Sequence, residues 1–371
     1  MGAAVVSTED ICMDLTLNYS QDEEAAMWLL YYPADQIIVP FVMSTVMAFG
    51  LLTNLAFLLV VVRVHRMRTA TNHYLVQIAL SDMAFLIFGA GARIMYFRAS
   101  PVSSDHRMTG AAGCIVIPFL NSMAYFASLF FTALVTREKY LAVCRPLEHR
   151  MLRGRPRIIR LTLSVWCVAV LISATLIPAS YLFEPFCIKW PDSWSTKTDL
   201  PDIAANCAPL SRNWVWYNNS MQTVPFFLTM FLTITMCITI LRNPHFRVAP
   251  ARDGQHLGPA TARKIRTRHQ ITFMLVVNGL VCFSLLAPFE CSSIAAWLRT
   301  LVPNPLLSDD QFNLSTQIVR ILAYIQAAVN PIVYYVVHPS YRSAFFELFK
   351  RSKRFDPNGK TQSTQLCNTV A

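Results

Sequence analysis

The chain has 371 residues, 54% of them hydrophobic and only 14% charged, well below the roughly 25% charge of soluble domains, which excludes an ordinary soluble enzyme. A net charge of +11 invites a nucleic-acid reading, but the charge is laid out for another purpose: residues 1–62 hold seven acids and no Lys or Arg, while 22 of the 32 basic residues crowd into 63–73, 145–160, 242–269 and the stretch after Val337. Apolar runs separated by such clusters mark a multi-pass membrane protein. The positive-inside rule then puts the basic clusters in the cytoplasm and the N-terminus outside. No period of about 20–50 residues marks a repeat array.

Residues 1–36 read as an extracellular tail, without a basic region followed by an apolar one that would mark a cleaved signal. Asn18-Tyr19-Ser20 is a glycosylation sequon in a suitable place. The first span runs about 37–62 and carries Asn54; it would itself serve as the insertion signal. The second, about 73–97, carries Asp82, a carboxylate at mid-membrane and so a functional candidate by cost alone. The third runs from Cys114 through an apolar segment to Thr136-Arg137-Glu138-Lys139-Tyr140, then Arg145-Pro146-Leu147. At about 1.5 Å per residue it crosses a core of roughly 30 Å.

The fourth span, about 158–182, carries Trp166. A long outer loop, about 183–213, holds Cys187 and Cys207. The fifth span, about 214–241, contains Pro225, and the sixth, about 264–298, contains Pro288; proline removes a backbone donor and favours a kink. The seventh, about 312–337, contains Asn330-Pro331-Ile332-Val333-Tyr334. Residues 338–350 mix aromatic and basic side chains at helical spacing, which suits a helix on the membrane surface. The stretch 351–371 is polar and reads as a disordered cytoplasmic tail.

These motifs, each in a different span and in a fixed order, resemble the rhodopsin-like G-protein-coupled receptors over about 37–350. The resemblance implies an all-α membrane protein: a seven-transmembrane helix bundle with a short amphipathic helix after the seventh span. It implies a polar switch network of Asn54, Asp82, Ser128 and Asn330. In the family this network often holds a sodium ion, here at Asp82 and Ser128. Gln326 and Ala327 stand where the family has oxygen-bearing Asn and Ser, and a water-filled network is the alternative.

The resemblance also implies coupling to a heterotrimeric G protein through Glu138, Lys139, Tyr140, Pro146 and Tyr334. Lys139 stands where the family has Arg. A point-like ammonium lacks the planar fork of guanidinium. With Arg268 on the sixth span where some relatives place an acid, the resting lock to that span is expected to be absent, giving appreciable ligand-free signalling or else weak coupling. The family's Trp two residues before Pro288 is replaced by Leu286, which leaves the trigger unassigned. Cys114 is expected to bond to the long loop. Cys207, 18 residues before Pro225, is the first choice and Cys187 the alternative; Cys12 could take the cysteine left over.

For the ligand, Asn121 occupies the place of the amine receptors' Asp, which argues against monoamines. Tyr324 occupies the place of the opsins' retinal-linking Lys, which argues against light sensing. Arg93, Glu290 and Arg320 are charges at membrane depth, either paired with one another or facing a polar ligand. Glu184 and the acidic tail would steer a cationic ligand. The expected ligand is an amidated neuropeptide, the stretch around Phe183-Glu184 and 217–227 faintly resembling FMRFamide-type receptors; a lipid or small metabolite is the alternative. Ser352, Thr361, Ser363, Thr364 and Thr369 would serve a receptor kinase and arrestin. A transporter or channel would show inverted repeats, and an enzyme a catalytic motif; the chain has neither.

Overall fold

Seven helices are long and apolar enough to cross a membrane: Asp35–Arg63, Ala70–Ala99, Gly110–Cys144, Arg155–Ala179, Arg212–Arg242, Thr272–Arg299 and Asp309–Val337. They come from a computed structural model that describes residues 15–151, 154–194, 199–243, 259–299, 308–337 and 339–352, with backbone alone at 259–269, 271, 275 and 348–352. The sixth helix extends back to Pro259. The Ser and Thr beyond 352, Cys12, Cys367 and the Arg268 side chain lie outside what is described.

The third span is the hub, packing against the second, fourth, fifth and sixth, while the first and seventh pack on each other. Its buried face carries Phe126, Ala127, Leu129 and Phe131. Large apolar side chains such as Phe41, Leu52, Leu171 and Phe231 are two-thirds exposed, as expected where the solvent is hydrocarbon rather than water. The first and seventh spans come close because Gly50 has no side chain: a Cβ there would stand 2.9 Å from Ala328 Cβ. Thr53 Oγ1 and Asn54 Nδ2 then donate across the gap to the carbonyls of Ala328 and Ala327, at 2.8 and 3.0 Å.

Helices run without interruption through Pro118, Pro225, Pro288 and Pro331. Two stretches widen to π-turns, Ile38–Met43 and Leu86–Gly91, a geometry that gathers at functional sites. The fourth helix is shorter than its apolar run suggests. It ends at Leu176, passes through a 3₁₀ turn at Ile177–Ala179 and leaves Leu182 in a strand. Pro178, which has no N–H to donate, closes it.

At the Cys114 end of the bundle lies a three-stranded sheet of β1 (Thr16–Asn18), β2 (Leu182–Lys189) and β3 (Ile203–Ala208). β2 and β3 form a hairpin in the long loop; β1 runs parallel to β2, with Thr16 opposite Cys187. The stretch expected as a plain tail is therefore folded down onto the bundle. A bridge pairs Leu30 with Val102, Tyr31 N donates to Pro101 O, and Tyr32 Oη accepts from Asn313 Nδ2 at 2.8 Å. Asn18 is exposed at the end of β1, as an acceptor for a glycan must be. Cys114 is bonded to Cys207, the first of the two pairings expected, and Cys187 is disulfide-bonded as well.

Asp105 ties the loop between the second and third spans to β3. It accepts from Ala205 N at 3.2 Å and is paired with Arg107 at 2.9 Å. Burial alone would raise its carboxyl, but the Arg107 guanidinium and the backbone donors hold it below the usual carboxylate value.

At the opposite end, where the basic clusters lie, the helix Pro339–Ser352 packs on the first and seventh spans. Tyr341 Oη donates to Asn72 Oδ1, and Arg66 reaches Glu347 at 3.2 Å.

Candidate functional site

Between the spans at the disulfide end is a cavity of about 360 Å³. Four of the expected ligand residues line it: Arg93 on the second span, Asn121 on the third, and Arg320 and Tyr324 on the seventh. Tyr31, His106, Tyr125, Gln222, Phe289 and Gln317 complete much of the wall. Burial pushes the Tyr31 phenol up to about 12, so it faces the cavity as a protonated donor. The cavity exists because Gly89, in the π-turn of the second span, lacks a side chain: a Cβ there would lie 2.7 Å from Asn121 Oδ1 and 3.0 Å from the Tyr324 ring. Asn121 Oδ1 is buried with no hydrogen-bond partner among the described residues, a cost a native protein meets by binding something.

Arg93 and Arg320 are half-buried and neighbours; Asp35 is the acid near both. Arg320 donates to Gln317 Oε1 at 2.8 Å. Among the described residues neither arginine forms an ion pair, so the cavity carries positive charge toward its contents.

Two expected ligand residues stand elsewhere. Glu184 is exposed on β2, opposite Asn206, and does not line the cavity. Glu290 lies beneath the floor, fully buried. Its partners are two hydroxyls and an amide rather than an arginine: Tyr125 Oη donates at 2.5 Å and Thr223 Oγ1 at 3.2 Å, with the Gln222 side chain beside them. This cluster joins the third, fifth and sixth spans. Leu286, one turn along the sixth, is buried in apolar surroundings. Tyr125 belongs to both the cavity wall and the Glu290 cluster, and so connects them.

Deeper, Asp82 accepts from Ser128 Oγ at 2.6 Å and from Asn330 Nδ2 at 2.6 Å. Three spans thus meet on one carboxylate. Asn54 is adjacent in sequence logic but binds the backbone of the seventh span instead. For a sodium ion the side-chain oxygens in place are those of Asp82 and Ser128. Gln326 donates through Nε2 to Cys282 Sγ and Ala327 offers no side-chain oxygen, while Asn330 Oδ1, in the same cluster, is buried with no hydrogen-bond partner among the described residues.

At the basic end the neighbours Glu138 and Lys139 take different partners. Glu138 does not serve Lys139. It takes Arg157 of the fourth span in a two-pronged pair, at 2.6 and 3.3 Å, with His149 Nε2 at 3.8 Å. Lys139 Nζ donates to Thr71 Oγ1 at 2.7 Å. The planar guanidinium matches the carboxylate fork and the short ammonium does not. Tyr140 is half-buried beside them, and Pro146 opens the short helix Pro146–Met151. Tyr334 is buried, edge-on to Phe57 at 5.4 Å. Removing Arg157 would strand a largely buried carboxylate, so Arg157→Ala should destabilise the folded protein by about 3 kcal/mol. A lowered melting temperature in detergent, absent for the exposed Arg150→Ala, checks this.

The profile described as "7 transmembrane receptor (rhodopsin family)" matches residues 53–334. Among curated proteins, the human neuromedin-U receptor 2 is 24% identical over 85% of this chain and 71% of its own length. The thyrotropin-releasing hormone receptor of Bos taurus is 25% identical over 90% of this chain and 82% of its own. Galanin receptor 2a of Danio rerio is 23% identical, covering 92% and 86%.

Proposed function

Since the chain belongs to the rhodopsin family of seven-transmembrane receptors, we propose that it binds an extracellular peptide at the disulfide end and activates a heterotrimeric G protein at the basic end. The observation that carries the ligand reading is the pair Arg93 and Arg320, two cations at the cavity with one nearby acid, Asp35, and no direct ion pair to either among the described residues. Such a pair suits carbonyl-rich or carboxylate groups. A cavity of about 360 Å³ admits only the tip of a peptide, so an amidated C-terminus enters and donates to the free Asn121 Oδ1. Basic residues of the peptide stay at the mouth, where Glu184 is exposed. The relatives named above, receptors for neuromedin U, thyrotropin-releasing hormone and galanin by name, favour a peptide. A carboxylated lipid or metabolite is the second reading, since the same two arginines would hold its carboxylate.

Transmission runs through Tyr125. A ligand pressing on its ring disturbs the hydroxyl that holds Glu290, and the sixth span is freed to swing about Pro288. This latch takes the place of the aromatic trigger that Leu286 lacks. A ligand that binds both states equally would shift nothing, so the relevant contact is one made better with the latch open. The opened end presents Leu147 and Met151, which are 77% and 80% exposed on the short helix after the third span, as apolar ground for the G protein. Kinase and arrestin would act on the Ser and Thr of the tail.

The test is second-messenger output in cells given amidated peptides, the same peptides as free acids, and carboxylated lipids. An amidated peptide should be the most potent. Silence across the peptide set, with the receptor shown at the cell surface, rejects the peptide reading; a response to a lipid alone supports the second one.

A further inference from the structure

A second cavity opens outward, into the lipid. The first and seventh spans and the helix Pro339–Ser352 enclose a groove of about 400 Å³. Phe49, Leu52, Phe57, Pro331, Tyr335 and Phe345 form its walls. Along the first span it runs from Phe49 to Val60, about 16 Å at the helical rise, which is half of a roughly 30 Å hydrocarbon core. It therefore lies within one leaflet, that of the basic end. Its outer lip is bare: Phe49 and Leu52 are 48% and 66% exposed.

Where the groove stops, the chemistry changes from apolar to cationic. Arg63, Arg66 and Arg68 follow the first span, and Arg342 stands on the surface helix; all four are exposed. Glu347 is the acid set against them, 3.2 Å from Arg66, which also donates to Ser343 Oγ at 3.0 Å. An apolar slot one leaflet deep with a basic rim at headgroup level matches one kind of molecule. We propose that the groove seats an acyl chain of an anionic phospholipid whose phosphate lies on the Arg66–Arg342 rim. Clusters of basic residues just beyond a span attract anionic headgroups. A sterol would use the slot but leave all four cations idle.

Occupancy bears on the switch. Phe57, a groove wall, is edge-on to Tyr334 at 5.4 Å and stacked on Tyr341 at 6.1 Å. A chain wedged against Phe57 restricts the space into which Tyr334 can turn. The lipid would hold the closed form and be displaced as the seventh span rearranges.

The probe is a phosphatidylserine bearing a photoreactive acyl chain, compared with the matching phosphatidylcholine, on the full-length receptor in phosphatidylcholine vesicles. The serine lipid should label 49–60 and 331–335 in preference to other spans and to the choline lipid. Arg66→Gln should cut that preference about fivefold, the worth of one basic side chain at a charged surface. Glu347→Gln should raise it, because Arg66 is released to the phosphate. Ala56→Phe, which fills the slot, should abolish labelling there for both lipids. Equal labelling by the two lipids, labelling spread over all spans, displacement of the probe by a sterol, or no response to the two rim variants would each overturn the proposal. The rim residues are exposed, so those variants fold even if Ala56→Phe does not.

Discussion

Replacing Glu290 by Gln should raise ligand-free second-messenger output several-fold and bring the receptor closer to its fully activated level. The carboxylate accepts from two hydroxyls on two other spans. An amide keeps one acceptor and turns the other end into a donor, so one of the two bonds must reverse and both lose the carboxylate's charge. A hydrogen bond to a charged or strongly polar group contributes about 1.5–3 kcal/mol, and about 1.4 kcal/mol changes an equilibrium tenfold. The bonds exist only while the sixth span stands against the third and fifth. Their loss therefore costs the closed form and leaves the open form untouched.

Two further variants make the prediction specific. Tyr125→Phe removes one donor and should reproduce the effect of Glu290→Gln. Combining the two should give less than the sum of the separate effects, because both act on the one cluster around residue 290. Glu290→Leu removes both bonds at similar bulk and should show the highest basal output of the set. If basal output in Glu290→Gln and Tyr125→Phe matches the parent at equal surface density, the latch does not hold the closed form.

Much of this architecture could be read from the chain because its signals are long or costly. Spans of 25–35 residues, each with a strongly apolar 18-residue stretch holding two or fewer charges, leave little choice of structure. Asp82 is legible for the opposite reason: a lone carboxylate at that depth must be met by donors, and Ser128 and Asn330 meet it. Side-chain partnerships over short range were less legible. Glu138 and Lys139 are neighbours in sequence, but successive residues on a helix point apart. Arg157, brought alongside by the packing of the third and fourth spans, could reach the carboxylate with both arms.

Depth along a helix was also hidden. Glu290 and Arg320 look equivalent as charges within spans, yet one is sealed among hydroxyls and the other faces a cavity. The difference depends on where Tyr125 and Thr223 project from other helices, which spacing along a single chain does not record. The N-terminal strand was invisible for a related reason. Three residues, Thr16–Asn18, show no periodicity of their own; β2 supplies the partner that makes them a strand.

Arg320 is where the ligand reading faces its hardest test. Arg320→Gln should weaken the response to the activating peptide by about 30- to 4000-fold, with surface expression kept. The estimate follows from truncating one side of a desolvated charged contact, which costs about 2–5 kcal/mol. Two features separate this from a fold defect. Arg320 borders a like charge, Arg93, so its removal relieves repulsion in the empty cavity and should not lower the melting temperature. The loss should also depend on the ligand's chemistry. If the guanidinium grips the amidated end, replacing that amide by a bulky ester should cost the parent receptor heavily and cost Arg320→Gln almost nothing more. The same loss in both receptors would mean that the amide and Arg320 act separately, and the peptide would have to enter the cavity by another part of its chain.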